Sequence, residues 1–262
     1  MRVFVSALAI SLLASAPVEA APRRVASLNL CTDELLLLLA RPEQVASVTH
    51  LSHDPLETPL ADRARRHRPN DGSLASVAAL APDLILDMGS GARDSARIAR
   101  RLGTRILNLP FPTTVDDVMK SIALAAVALD RQDEGLTLLV RLARLRRSAP
   151  RTRVDAVWLG GGGRSLSVPG LGAQWMALAG FAQRRLPGDR LTLEQFLADP
   201  PSLLLVSSYR ASEYSMEQQW LDHRVLRRNA NVGRIVTDGR RWTCMGPLMI
   251  DEIARLRKAG PS

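Results

Sequence analysis

The chain is poor in the residues that usually carry catalysis. Of 262 residues, two are cysteine, four histidine and two tyrosine, and aromatics make up 4%. Two cysteines alone cannot build a thiolate zinc knuckle, and no CxxC redox pair is present. There is also no HExxH helix, no GxSxG elbow and no GxxxxGK[ST] loop, so the sequence carries no zinc peptidase, α/β-hydrolase or P-loop signature. Lysine is nearly missing: Lys120 and Lys258 are the only two, so the formal net charge of +9 rests on arginine. No helix-turn-helix signature or aromatic-basic interleaving accompanies that charge, which argues against nucleic acid as a partner. A basic surface suits steering of anionic ligands, or reflects an arginine-rich composition alone.

A spanning helix is missing too. The apolar run Val3 to Ala14 is roughly twelve residues, where a membrane span needs about 20. With Arg2 before it and Pro17-Val18-Glu19-Ala20 after it, the run reads as a secretory leader cut after Ala20. The expected product is exported, with the bacterial periplasm as compartment. Removal of Arg2 and Glu19 leaves the net charge unchanged.

What is present is alternation. Arg24 to Leu30 reads as a buried strand, followed by a helix capped by Thr32 or Asp33. Further strands are expected at Gln44 to Thr49, Leu84 to Asp87 and Thr104 to Leu109. Between them lie a helix capped by Ser73 and another from about Arg93 to Leu102. Thr113 or Thr114 caps a helix with Asp116 and Asp117 in its first turn. A helix from Gln132 to Ala149 then ends on Arg144, Arg146 and Arg147 and would span about 27 Å. Alternation restarts with strands at Val154 to Leu159, Ser202 to Ser207 and Arg234 to Thr237. Helices are expected near 173–179, 193–198, 217–223 and 248–258. The pattern predicts an α/β protein with two Rossmann-like lobes and mostly parallel sheets. Its expected divisions are a leader at 1–20, a first lobe at 21–129, a connecting helix at 130–150 and a second lobe at 151–262.

In this order and spacing, RVASLNLCTDELLLLL, the HDP loop at His53 to Pro55, SLASVAALAPDLIL, RLGTRILNLPFPTTVDDV, LTLEQFLADPPSLLLV and RRWTCMGPLMIDEIARL resemble the class III periplasmic substrate-binding proteins of ABC importers. The resemblance covers the whole mature chain. It implies a monomeric two-lobed receptor with a ligand cleft between the lobes and a rigid connecting helix that limits closure. The implied ligands are ferric siderophores, haem or cobalamin, whose iron or cobalt arrives with the solute, so no resident cofactor is expected. The implied partner is an inner-membrane ABC permease, reached through one acidic residue per lobe. Glu194 stands at the matching place in the second lobe. In the first lobe Ala75 occupies it, with Asp71 as a nearby substitute.

Strand-end loops supply the candidate ligand residues, because open α/β sheets bind at the carboxyl ends of their strands. The first lobe offers Asn29, Cys31 and Thr32, then His50, His53 and Asp54, then Ser90 and Arg93. The second offers Trp158 and Arg164, then Tyr209, Arg210 and Tyr214, then Trp242 and Cys244. Aromatic and arginine walls suit flat or anionic chelates. His50 and His53 are candidate axial ligands for haem iron or cobalamin cobalt. Cys31 and Cys244 leave three readings open: a disulfide, thiol ligands to a soft metal, or two separate buried thiols. A bond between them would cross the cleft and restrain its opening. The rival function is an exported enzyme acting on a phosphorylated or ester substrate through the Gly160–Gly163 loop.

Overall fold

The computed structural model describes residues 20–89, 97, 99, 101, 103–213 and 215–260. The leader before Ala20, most of the helix expected from Arg93, and the candidates Ser90, Arg93 and Tyr214 lie outside the described residues.

Two wholly parallel sheets form. The first is built from β1 (Val25–Ser27), β2 (Val45–Thr49), β3 (Arg68–Asn70), β4 (Leu84–Met88) and β5 (Arg105–Leu109), in the order β3-β2-β1-β4-β5. The second holds β6 (Val154–Leu159), β7 (Phe181–Gln183), β8 (Leu203–Ser207) and β9 (Gly233–Thr237), in the order β7-β6-β8-β9. The runs LILDM and LLLVS are buried at every position, as strands covered on both faces require. Strand order reverses between β1 and β4, and again between β6 and β8. Such switch points open crevices at the carboxyl ends of strands.

Around the first sheet lie α1 (Leu30–Leu39), α2 (Ala61–Ala64), α3 (Leu74–Ala78) and α4 (Val115–Ala128). The connecting helix is α5 (Gln132–Arg147). The second sheet carries α6 (Leu171–Ala179), α7 (Leu193–Ala198), α8 (Met216–Leu221), α9 (Arg224–Arg228), α10 (Gly239–Cys244) and α11 (Met249–Ala259). None of the described helices is long and apolar enough to cross a membrane.

Helix α4 starts at a capping box in which the Thr114 hydroxyl accepts from the Asp117 N–H at 3.1 Å, as its sequence signature predicts. Helix α5 packs closely along it: a Cβ on Gly135 would stand 2.4 Å from the Ala126 methyl carbon. At its other end the Leu145 carbonyl accepts from Arg257 Nη2 of α11 at 2.6 Å, and Arg141 pairs with Asp251. The connecting helix therefore leans on both lobes. One apolar core also runs through both, from Val25, Leu36 and Leu86 to Trp175, Leu205 and Ile253.

The entry to α1 differs from the sequence expectation. Strand β1 stops at Ser27, and Asn29 is the cap, its Oδ1 accepting from the Cys31 N–H at 2.8 Å. Thr32 and Asp33 turn inward instead. The Thr32 hydroxyl sits 2.8 Å from Ser27 Oγ, and buried Asp33 accepts from the Ser52 hydroxyl at 2.6 Å and the Thr49 N–H at 3.1 Å. Asparagine next to the first turn caps as well as threonine or aspartate does, and frees both for internal bonds. Strands β3 and β7 and helices α2, α9 and α10 are additions to the sequence reading.

Candidate functional site

The carboxyl ends of both sheets face one seam, and its centre is covalent. Cys31, at the start of α1, is disulfide-bonded to Cys244, at the end of α10, at a sequence separation of 213. Unpaired and metal-ligating thiols are thereby corrected: both sulfurs are consumed by each other. The geometry follows from two helix termini that aim their cysteines across the seam, Cys31 after β1, the central strand of the first sheet, and Cys244 after β9, an edge strand of the second.

Beside the bridge lies a buried carboxylate. Glu34 of α1 accepts from the Leu248 N–H of the second lobe at 2.7 Å. Gly246 makes room for it, since a Cβ there would stand 2.8 Å from Glu34 Oε1. Burial pushes the Glu34 carboxyl up to about 7, against the opposing pull of the Leu248 N–H and the Arg241 charge. Burial likewise raises Asp33, against its hydroxyl and N–H donors.

On the β2 side of the bridge the seam is shut by charge. The Tyr209 hydroxyl donates to Glu57 Oε2 at 2.8 Å, Arg210 pairs with the other oxygen of Glu57, and Asp54 lies 3.6 Å from the same guanidinium. Arg240 Nη1 donates to the Pro55 carbonyl at 2.8 Å. Burial and the Glu57 carboxylate raise the Tyr209 phenol above its ordinary range. A groove of about 510 Å³ remains outside these pairs, against Pro55, Arg210, Asp238, Arg240 and Arg255.

On the β5 side the seam is open. A cavity of about 760 Å³ lies there, between Phe111, Pro112, Thr113 and Thr114 of the first lobe and Ser165, Ser167, Pro169, Gln174, Thr243 and Met245 of the second. That size is within the range of small-molecule pockets. Cys31 and Cys244 form part of its wall, and among the described residues no charged side chain lines it. Phe111 is 59% exposed, and its ring covers Gly89 so closely that a Cβ there would fall 1.9 Å from a ring carbon. Gly89 also has φ +72°, so two constraints demand glycine at this strand end.

Of the residues proposed from sequence, Cys31 and Cys244 line this cavity. Asn29 and Thr32 are spent on the start of α1. Asp54, Tyr209 and Arg210 meet across the seam on the opposite side. His50 Nδ1 lies 3.2 Å from the Asn70 carbonyl, and His53 sits near enough to His67 for its charge to be felt there. Neither histidine lines the large cavity, and the described residues hold no group of three His, Cys, Asp or Glu side chains suited to a metal. Trp242 is buried and donates to Thr237 Oγ1 at 2.7 Å, with Trp158 tilted against it at 5.7 Å between ring centres. Arg164 pairs with Glu217 on the surface. Glu194 and Asp71 are exposed in the first turn of α7 and just before α3. The Gly160–Gly163 run is shaped by packing: added Cβ atoms would press on Trp158, Glu217 and the Leu191 carbonyl. The Glu217 carboxylate beside it opposes a phosphate.

Sequence reasoning missed Phe111, Glu34 and Glu57. Phe111 carried a usable signal, an aromatic flanked by prolines directly after a strand.

These features define a two-lobed α/β protein with an inter-lobe cavity. The sequence profile of the Periplasmic binding protein family matches residues 25–228, and the chain belongs to that family. No curated protein sequence matches it. Among solved structures, it is similar to the periplasmic haem-binding protein BhuT in complex with two haems, at 17% identity and TM-score 0.66, covering 92% of this chain and 99% of that one. It is similar to the vitamin B12 binding protein BtuF of Vibrio cholerae at 19% identity and TM-score 0.62, covering 90% and 96%. The siderophore binding protein BauB, bound to two acinetobactin molecules and ferric iron, matches at 12% identity and TM-score 0.66, covering 93% and 95%. At these identities the likeness is one of fold.

Proposed function

We propose that the protein is a periplasmic solute receptor that captures an iron chelate, haem or cobalamin and delivers it to an ABC permease without covalent chemistry. The observation that carries this reading is the 760 Å³ cavity between the lobes, at the carboxyl ends of both sheets in a periplasmic binding protein fold. The solved structures of similar fold bind haem, vitamin B12 and a ferric siderophore. Export through a leader cut after Ala20, the lobe limits at 129 and 151, and a monomeric state belong to the same reading. Phe111, Pro112, Thr243 and the disulfide form the contact wall, and Glu194 with Asp71 supplies the acidic points that meet the permease. Hydrogen bonds from its own backbone N–H and from the Thr192 hydroxyl hold the Glu194 carboxyl below its usual range, and Ser73 does the same for Asp71. Both therefore stay charged at neutral pH.

The test is a fluorescence titration of the mature protein with haemin, cyanocobalamin, a ferric trishydroxamate and a ferric triscatecholate. Saturable quenching by at least one is expected, and Glu194→Ala is expected to keep that binding while losing uptake in cells. Absence of binding across all four removes this ligand class.

A further inference from the structure

The disulfide stands between two unlike compartments. It follows β1, with β2 and β3 to one side in the sheet and β4 and β5 to the other. Behind the bridge only about 10 Å³ of free space remains, between Leu35, Val118 and Pro247 among others, which is room for a single water at most. On the β2 side, Glu57, Tyr209 and Arg210 join the lobes directly, as do Arg240 and the Pro55 carbonyl. On the β5 side the lobes touch through the Val115 N–H, which donates to Gln174 Oε1 at 3.0 Å, and the cavity opens beside that bond.

We propose that the Cys31–Cys244 bridge divides the groove between the lobes, and that ligand is taken only in the compartment on the Phe111 side, with the lobes already at their working separation. This rests on the receptor reading above and deepens it. The charged pairs on the β2 side would have to be broken and desolvated to admit a ligand there, whereas the β5 side is open and no charged side chain lines it among the described residues. A covalent link at the midpoint, with the continuous core behind it, denies the lobes the hinge movement that would open both sides together. The chemistry of the open compartment also selects. Hydroxyl groups, proline, an exposed phenyl ring and a disulfide offer hydrogen bonds and apolar contact, and no counter-charge stands among the described lining residues. Among the described lining residues neither histidine nor tyrosine is present, and Met245 brings the one thioether. The described wall therefore suits a ligand edge that carries little charge.

Two arms test this. In the first, each compartment is filled by one bulky substitution at an exposed position, Thr243→Trp on the β5 side and Ala211→Trp on the β2 side. The probes are haemin, cyanocobalamin, the ferric trishydroxamate and the ferric triscatecholate. Thr243→Trp is expected to weaken whichever probe binds by about tenfold or more, and Ala211→Trp by less than about twofold. The reverse pattern, or equal loss in both, overturns the one-sided assignment while leaving the receptor reading intact. The second arm needs no ligand. Hydrogen exchange at the Leu248 and Val115 amides reports lobe separation, because both donate to a side chain of the opposite lobe. Reduction, or Cys31→Ser with Cys244→Ser, is expected to speed their exchange by about tenfold or more. Unchanged exchange in both overturns the claim that the bridge holds the seam, whether or not any probe binds.

Discussion

The two ends of the inter-lobe seam are made of opposite materials. On the β2 side, carboxylates and guanidinium groups face each other across the lobes, and Glu57 is only 14% exposed between Tyr209 and Arg210. On the β5 side, the facing surfaces are hydroxyl groups, prolines and a phenyl ring, and they stand apart. The difference shows how an arginine-rich protein can keep an uncharged pocket. Its cleft arginines are held by neighbouring acids: Arg210 by Glu57 and Glu213, Arg240 by Asp238, Arg255 by Glu252. These pairs leave no free guanidinium of Arg210, Arg240 or Arg255 turned toward the seam.

Between these ends, the bridge should dominate stability. The loop it closes separates the cysteines by 213 residues, and loss of such a link costs about 4 kcal/mol. Cys31→Ser with Cys244→Ser is therefore expected to lower the unfolding free energy by that amount in urea titrations. A loss under about 1 kcal/mol would mean that the shared core alone holds the lobes.

The next effect comes from Glu34. Its carboxyl ionises near 7 in the folded chain, against 4.5 as the ordinary value, because burial disfavours the charge. A raised folded value means that the contribution is fully present below pH 4.5 and is lost as pH rises through 7. The difference corresponds to about 3 kcal/mol. The protein should thus be less stable at pH 8 than at pH 5 by up to that amount, and Glu34→Gln should flatten the dependence while its amide oxygen still accepts from Leu248. Equal pH slopes for the two proteins would show that the carboxyl ionises normally.

At the charged end the smallest effect is expected. Tyr209→Phe removes one partly exposed hydrogen bond to Glu57, worth about 1 kcal/mol or less. It should leave stability nearly unchanged but speed hydrogen exchange in the segment around Glu57. No change in that exchange would indicate that Arg210 alone closes this end.

Much of the fold was legible because its signals are local. The buried runs of β4 and β8 and the threonine cap of α4 each lie within a few residues. The missed strands β3 and β7 are three-residue edges, one of them containing Pro69, and short edges leave no periodicity to read. Helix α10 escaped because RRWTC is polar on the page; Asp238 caps it and the second lobe buries Trp242. The site was less legible for the same reason. Strand-end topology pointed at the right seam, yet it could not tell that Tyr209 and Arg210 would be spent on Glu57. Nor could it find Glu34, whose burial depends on Gly246 and Leu248 more than 200 residues away.

Everything in this account turns on the bond between Cys31 and Cys244. Counting reactive thiols in the denatured protein, purified without reductant, tests it most directly. No reactive thiol is expected before reduction and two after it. Two reactive thiols before reduction would contradict it, and the groove between the lobes would then be a single open cleft.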